Sequence, residues 1–168
     1  MMSLTLDVGC GKHKRGDIGV DYSRNSDADI IADACHLPFK DSVFDKVTST
    51  TVLEHSPNPL NFLKEQHRIL KNRGEIEVIT DNAQYYRWSV MQLFGIRHED
   101  YHKDHYMIFF PKNVIRLMQL AGFSKISYQY VKYPRRRKMD FFVSLLIKTG
   151  FWRSDCLFYR FKVKAIKY

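Results

Sequence analysis

The sequence predicts an α/β domain with a mostly parallel sheet. Two observations predict it: strand-like apolar stretches alternate with helical patterns, and the chemically informative residues come directly after the strand-like stretches. The chain has 168 residues, of which 45% are hydrophobic and 27% charged, so it can bury the core that such a domain needs. We therefore expect one domain over residues 1–168.

Seven strands are predicted from short runs of apolar and β-branched residues. They are Leu4–Val8, Asp17–Tyr22, Ala28–Ala32, Phe44–Ser49, Glu75–Thr80, Ser124–Lys132 and Phe161–Tyr168. The last run, FKVKAIKY, alternates strictly between apolar and polar residues. That alternation is typical of a strand at a sheet edge or paired antiparallel.

Two helices are predicted from apolar residues at helical spacing. The first covers Asn58–Leu70, where Pro59 suits the first turn and Gly74 follows the end. The second covers Lys112–Ala121, with a proline before it and a glycine after it.

Glycines and acids follow the first three predicted strands. Gly9-Cys10-Gly11 follows the first strand, Asp21 the second and Asp33 the third. Because the carboxyl ends of parallel strands meet at one edge of a sheet, we expect these residues to converge. The first acid can accept both hydroxyls of a ribose, and the second can accept from an exocyclic amine of a base. The arrangement predicts a nucleoside site.

The same loop argues against a phosphate-binding site. The dinucleotide fingerprint G-x-G-x-x-G requires glycine where Lys14 stands. The phosphate-binding loop G-x-x-x-x-G-K-[ST] fails because Asp17 and Ile18 follow Gly16. The connection after Gly11 is also too short for a helix whose N-terminus could bind a pyrophosphate. The predicted ligand is therefore a nucleoside without phosphates.

Several segments, in order along the chain, resemble one known family. LDVGCG, GVDYS and ADACHLPFKDSVFDKVTSTTVLEH are similar to the motifs of class I S-adenosylmethionine-dependent methyltransferases, and DHYMIFFPKNVIRLMQLAGFSKI resembles the late helix–strand unit of their type 11 subgroup. The resemblance covers roughly residues 4–82 and 104–132. It implies a Rossmann-like sheet with an antiparallel last strand and S-adenosylmethionine as cofactor. It also implies methyl transfer to an O or N nucleophile of a small-molecule or saccharide-like acceptor.

The resemblance further implies roles for individual residues. We expect Asp7, Gly9, Cys10 and Gly11 to form the loop around the methionine part of the cofactor. Asp21 is expected to contact the ribose, and Asp33 and Ala34 the adenine. Further lining is expected from Tyr22, Ser49 and Thr50. Taken singly, each has a plainer alternative, such as a tight turn for the glycines, a cap for Asp33 and a surface charge for Asp21.

The sequence departs from the family pattern at its early connections. The third small position of the loop is His13, and the first three connections are too short for the usual helices. We expect the early helices to be shortened or missing, which leaves one face of the sheet short of cover. The expected cover is Gln84–Phe94, Met139–Phe151 or the second subunit of a homodimer.

Residues 83–110 are expected to cover the substrate, between a cofactor-binding half at 4–82 and a C-terminal helix–strand unit at 111–168. The candidate general base is His105, for which a hydrogen-bonded loop histidine is the alternative. The other expected substrate-lining residues are His55, Tyr85, Tyr86, Trp88, His102 and Tyr106. The histidine spacing across 98–105 occurs in metal sites but is more typical of a polar loop, so no metal is predicted.

The positive charge is concentrated at the C-terminal end. Of the net +9, residues 135–168 contribute +8, which suits an anionic partner such as RNA or a membrane surface. The interpretation we favour is a core-facing helix with basic flanks. An RNA methyltransferase and a catalytically silent cofactor-binding module remain alternatives.

Three widely spaced cysteines and no apolar run of membrane-spanning length indicate a cytoplasmic protein, with peripheral membrane attachment as a further option. The N-terminus lacks the pattern of a signal peptide.

Overall fold

The computed structural model describes residues 3–95, 97, 103–131, 144–150 and 153–168. These residues form a seven-stranded sheet in the order β3-β2-β1-β4-β5-β7-β6. The strands are β1 (Thr5–Val8), β2 (Ile18–Asp21), β3 (Ile30–Ile31), β4 (Phe44–Thr50), β5 (Leu70–Asp81), β6 (Phe123–Val131) and β7 (Arg160–Lys167).

The strand directions confirm the predicted fold class. The neighbours from β3 to β5 pair in parallel, whereas β7 pairs antiparallel with both β5 and β6. The antiparallel alternative for the last strand is confirmed. The edge alternative is wrong, because β7 lies inside the sheet and β6 forms that edge.

The described residues include the helices α1 (Pro59–Ile69), α2 (Tyr86–Leu93) and α3 (Pro111–Leu120). Residues 144–148 are also helical. Two 3-10 turns occupy Leu53–His55 and Ser154–Leu157. The start of α1 is fixed by Asn58, whose side chain accepts a hydrogen bond from the Asn61 backbone N–H at 3.0 Å. None of the helices in the described segments combines the length and apolar character needed to cross a membrane.

One face of the sheet carries the main core. Alternate residues of the central strands, including Val47, Val78 and Val163, are fully buried there. Phe62 of α1 and Val114 of α3 belong to the same apolar cluster. This side therefore has the layered helix-on-sheet packing that the sequence pattern predicts.

The early helices are absent, as expected from the short connections. Between β1 and β4 the chain runs through turns, without an α-helix. Arg68 of α1 holds the last of these connections by donating to the carbonyls of Phe39 and Leu37 at 2.7 and 3.0 Å. Its guanidinium also pairs with Glu65 and Asp41 at 2.8 Å. Arg68 thus helps to order a connection that lacks its own helix.

The other face of the sheet carries a row of polar side chains in the part that the structure describes. Thr48, Glu77 and Lys164 lie side by side on adjacent strands, and Asp7 and Ser127 continue the same row. Glu77 bonds to Lys162 at 2.7 Å and to Lys164 at 3.3 Å. Ion-paired side chains of this kind need no apolar partner, so this row does not by itself demand a helix or a second subunit, and the expected cover stays a prediction.

Helix α2 contributes to a second, smaller apolar cluster. Its Tyr86 packs with Cys156, Ile147 and Leu157. Part of the expected cover, 139–143 and 151, lies outside the described residues, as does the basic run 135–138.

Candidate active site

A cavity of about 250 Å³ opens at the carboxyl ends of the first four strands. Its lining joins residues that follow separate strands, as ligand sites in open α/β sheets do. The lining residues are Gly9, Val20, Asp21, Tyr22, Ala32, Ala34, Thr51, Val52 and His55. Four of the residues predicted to bind the cofactor, and one predicted to line the substrate, therefore meet in one place.

Asp21 lies at the end of β2 and braces the neighbouring turns. One carboxylate oxygen accepts the Gly11 backbone N–H at 2.8 Å, and the other accepts the Ser23 backbone N–H at 2.8 Å. Each carboxylate oxygen has two acceptor positions, so both oxygens retain one for a ligand hydroxyl. The local structure thus holds an ionisable acceptor at the cavity in a fixed orientation.

Thr51 gives the cavity wall a strained backbone. It follows β4 with a φ of 56°, in the left-handed region that a β-branched residue rarely adopts. Its backbone N–H donates to the Ile79 carbonyl at 2.8 Å, and its hydroxyl donates to the Thr50 carbonyl at 2.7 Å. Such strain persists where surrounding structure enforces it, and it is concentrated at functional sites.

His55 lies beside the cavity and contacts His105. The two imidazole rings meet edge to face, with centroids 4.6 Å apart. Nδ1 of His55 lies 2.9 Å from the carbonyl oxygen of Asp104. The segment around His105 is held by the Tyr106 backbone N–H, which donates to the Glu54 carbonyl at 2.9 Å. The candidate base is therefore brought next to a second histidine and a buried glutamate.

The chain is similar in sequence and in fold to known proteins. Two uncharacterized proteins of Methanocaldococcus jannaschii are similar in sequence. The first is 40% identical over a stretch that covers 47% of this chain and 41% of that protein. The second is 30% identical over 82% of this chain and 71% of that protein. The chain thus spans less than half the length of the first relative. The methyltransferase-domain family model matches residues 17–78. The chain thus matches a methyltransferase domain over these residues, and its fold is that of the class I S-adenosylmethionine-dependent methyltransferases.

Solved structures of methyltransferases share the fold. A Thermotoga maritima S-adenosylmethionine-dependent methyltransferase, described as a possible histamine N-methyltransferase, superposes with a TM-score of 0.74 at 18% identity, over 100% of this chain and 83% of that one. Phosphoethanolamine N-methyltransferase 2 of Haemonchus contortus, in complex with S-adenosyl-L-methionine, gives 0.66 at 17% identity, over 99% and 50%. At these identities the likeness concerns the fold.

In this chain, the two glycines of the β1–β2 turn differ. A Cβ on Gly9 would overlap the Val52 side chain, whereas a Cβ on Gly11 would have no heavy atom within 4 Å. Both residues have positive φ, 71° and 56°. Gly9 is therefore required by packing of the cavity wall, and Gly11 leaves open space beside Asp21.

Other predicted cofactor residues have structural contacts. Asp7 accepts the Arg15 backbone N–H at 2.8 Å, and Asp33 accepts that of Cys35 at 2.8 Å. This backbone hydrogen bond, with help from His36, holds the pKa of Asp33 below its usual range. Cys10 is buried, and burial raises the pKa of its thiol. These residues shape the turns around the cavity, although they are outside its lining.

Ser49 and Thr50 are consecutive in β4 and their side chains point to opposite faces of the sheet. Thr50 accepts a hydrogen bond from Arg15 at 3.0 Å on the polar face. Ser49 is buried, and its hydroxyl makes no hydrogen bond within the described residues. The cavity wall after β4 is formed instead by Thr51 and Val52. The motif resemblance did not include these two residues, although their position directly after the strand could have indicated that they line the cavity.

Most of the expected aromatic substrate wall packs internally. Tyr86 and Trp88 are buried, and Tyr85 contacts both of their rings. Tyr106 is 68% exposed beside the Glu54 turn. His102 lies outside the described residues.

The cavity fits the nucleoside part of S-adenosylmethionine. Apolar surface from Val20, Ala32, Ala34 and Val52 suits a flat base, and Asp21 offers acceptors for ribose hydroxyls. Ligand pockets commonly measure about 300–1,000 Å³. A cavity of about 250 Å³ therefore suits part of the cofactor, with the remainder nearer solvent.

Proposed function

We propose that this methyltransferase binds S-adenosylmethionine in the cavity and transfers the methyl group to an O or N nucleophile of a small-molecule or saccharide-like acceptor. The observation that carries the proposal is the convergence of Gly9, Asp21, Ala34 and His55 on one cavity at the carboxyl edge of the sheet.

The chain's contribution is to position the reactants and exclude water. The bound cofactor supplies an activated methyl group, so alignment of the acceptor accounts for most of the catalysis. Asp21 accepts hydrogen bonds from the ribose, and the Gly9–Gly11 turn allows close approach of the cofactor. His105, beside His55, remains the candidate base for the acceptor proton.

Calorimetric titration with S-adenosylmethionine tests the proposal. Asp21→Asn keeps the shape of the side chain but removes its charge, and we expect about a 10- to 100-fold loss of affinity, as for a hydrogen bond to a charged group. Asp17→Asn is the matched control, because Asp17 also accepts a backbone N–H, that of Thr5 at 2.8 Å, away from the cavity.

The control should bind like the wild type, and NAD should not bind. If the two variants bound S-adenosylmethionine with equal affinity, Asp21 would not contribute to cofactor binding. If the wild type bound no S-adenosylmethionine, the chain would keep the family fold without its cofactor function. Binding without turnover on any small acceptor would favour the catalytically silent module.

We also infer a cytoplasmic location. All three cysteines are free and buried, which suits a reducing compartment. An anionic partner there for the basic segment 135–168, such as RNA or a membrane surface, is the alternative to its favoured role as a core-facing helix with basic flanks.

A further inference from the structure

Three metal-ligating side chains converge next to the cofactor cavity. Glu54 and His55 come from the 3-10 turn after β4, and His105 comes from the segment that packs on this turn. One ligand atom from each residue lies within 4.8 Å of the other two. The geometry brings together residues that are about fifty positions apart in the chain.

Glu54 is a buried carboxylate with an unused oxygen. Its side chain is fully buried, and Oε2 accepts the Thr80 hydroxyl hydrogen at 2.7 Å. Oε1 has no hydrogen-bond partner among the described residues. A buried carboxylate without a compensating charge is costly, and a cation at Oε1 would compensate it.

The orientation of His55 also suits metal binding. The Asp104 carbonyl can only accept, so Nδ1 of His55 donates to it at 2.9 Å, and the neutral ring then carries its lone pair on Nε2. Metal-ligating histidines commonly donate their other ring N–H to a carbonyl in this way.

We propose that Glu54, His55 and His105 bind a divalent transition-metal ion, with Zn²⁺ as the best match. Two imidazoles and one carboxylate suit zinc more than magnesium or calcium, which prefer oxygen ligands. Zinc–ligand bonds of about 2.1 Å place tetrahedral ligand atoms about 3.4 Å apart, so the cluster needs only a modest contraction.

Three protein ligands leave one position of the ion open. His55 lines the cavity, so the ion would lie at its border. An acceptor hydroxyl bound there would lose its proton more readily, because the ion stabilises the alkoxide. This catalytic role rests on the proposed methyl transfer, whereas binding of the ion does not. Binding of the ion would make His105 a ligand instead of a general base. The proposal thus replaces the sequence-based expectation of no metal.

Titration of the chelator-treated full chain with Zn²⁺ tests the site. We expect one equivalent to bind to the wild type, and about a 100-fold or greater loss of affinity in Glu54→Gln and His105→Ala, since loss of even an outer partner costs about 10- to 100-fold. His13→Ala is the control for surface histidines, because His13 is exposed and outside the cluster. It should bind Zn²⁺ like the wild type.

Thermal unfolding separates loss of the site from loss of the fold. Zn²⁺ should raise the melting temperature of the wild type and of His13→Ala, but not of the two ligand variants, which should melt cooperatively in chelator. The proposal is overturned if the wild type does not bind Zn²⁺, or if both ligand variants bind it within about threefold of the wild type.

The cofactor titration, run in chelator, keeps the two proposals apart. Cofactor binding by a chain that does not bind Zn²⁺ would overturn only the metal site. Zn²⁺ binding that depends on Glu54, in a chain that does not bind S-adenosylmethionine, would support the metal site and contradict the proposed function.

Discussion

At the scale of single residues, the β1–β2 turn contains two glycines with left-handed backbone but different surroundings. Gly9 lies against Val52, whereas Gly11 faces open space. A motif comparison treats both as one loop for the cofactor. The structure separates a glycine that packing requires from one that leaves room for a ligand.

Alanine substitutions should reveal this difference. Gly11→Ala should cost about 1–2 kcal/mol of unfolding free energy, the cost of a left-handed backbone. Gly9→Ala should cost about 2–5 kcal/mol, because overpacking against Val52 adds about 1–3 kcal/mol. Chemical denaturation of both variants provides the comparison.

Val52→Ala in the Gly9→Ala background is the control for that prediction. It removes the overlapping methyl groups, so the double variant should recover part of the loss. Equal costs for the two glycine variants, with no recovery, would contradict the packing explanation.

At the scale of elements, helix α1 orders the connection between β3 and β4. Glu65 accepts the Leu37 backbone N–H at 2.9 Å and pairs with Arg68. Side chains of one helix thus take the place of a helix that the connection is too short to form. The sequence predicted the missing helix, but it did not indicate which side chains replace it.

This contact predicts a pH-dependent contribution to stability. The hydrogen bond from Arg68 holds the pKa of Glu65 below its ordinary value, despite partial burial. The stabilisation is therefore present above the unfolded-state pKa of about 4.3 and is lost as pH falls through the lower folded-state pKa.

Glu65→Gln should consequently cost about 1–2 kcal/mol at pH 7, and the cost should shrink as pH falls below about 4. Urea denaturation of wild type and variant from pH 7 to pH 3 measures the difference. Glu75→Gln, at an exposed position of β5, should show no comparable cost at pH 7. A Glu65→Gln cost that stayed constant with pH would contradict the assigned cause.

At the scale of the whole molecule, the two faces of the sheet have different surroundings. One face is buried under α1 and α3, and the other carries the row of Thr48, Glu77 and Lys164. A largely parallel sheet commonly has helices on both faces. Here polar side chains occupy the row, so this part of the face does not need an apolar layer.

We expect the protein to be a monomer of 20.0 kDa at micromolar concentration, because the polar face gives a second copy little apolar area to bury. Sedimentation velocity measures this. The double variant Ser127→Val and Lys164→Val places an apolar cross-strand pair on this face and should self-associate as concentration rises. A stable wild-type dimer would contradict this prediction and would indicate that the polar face forms an interface.

The sequence by itself determined the strand series, including the alternating last strand, and the acids that follow the strands. These features depend on local periodicity and on the rule that parallel strands end at one edge, so they can be inferred along the chain. Asp21 and Gly9 were found in this way, and both line the cavity.

Only the tertiary structure decided which side chains meet. Thr51 and Val52 form the wall because β4 ends between its neighbours, and Ser49 is turned into the core by strand alternation. Glu54, His55 and His105 converge because the segment around Tyr106 hydrogen-bonds to the Glu54 turn. Contacts between residues so far apart in the chain depend on packing, and no local pattern specifies them.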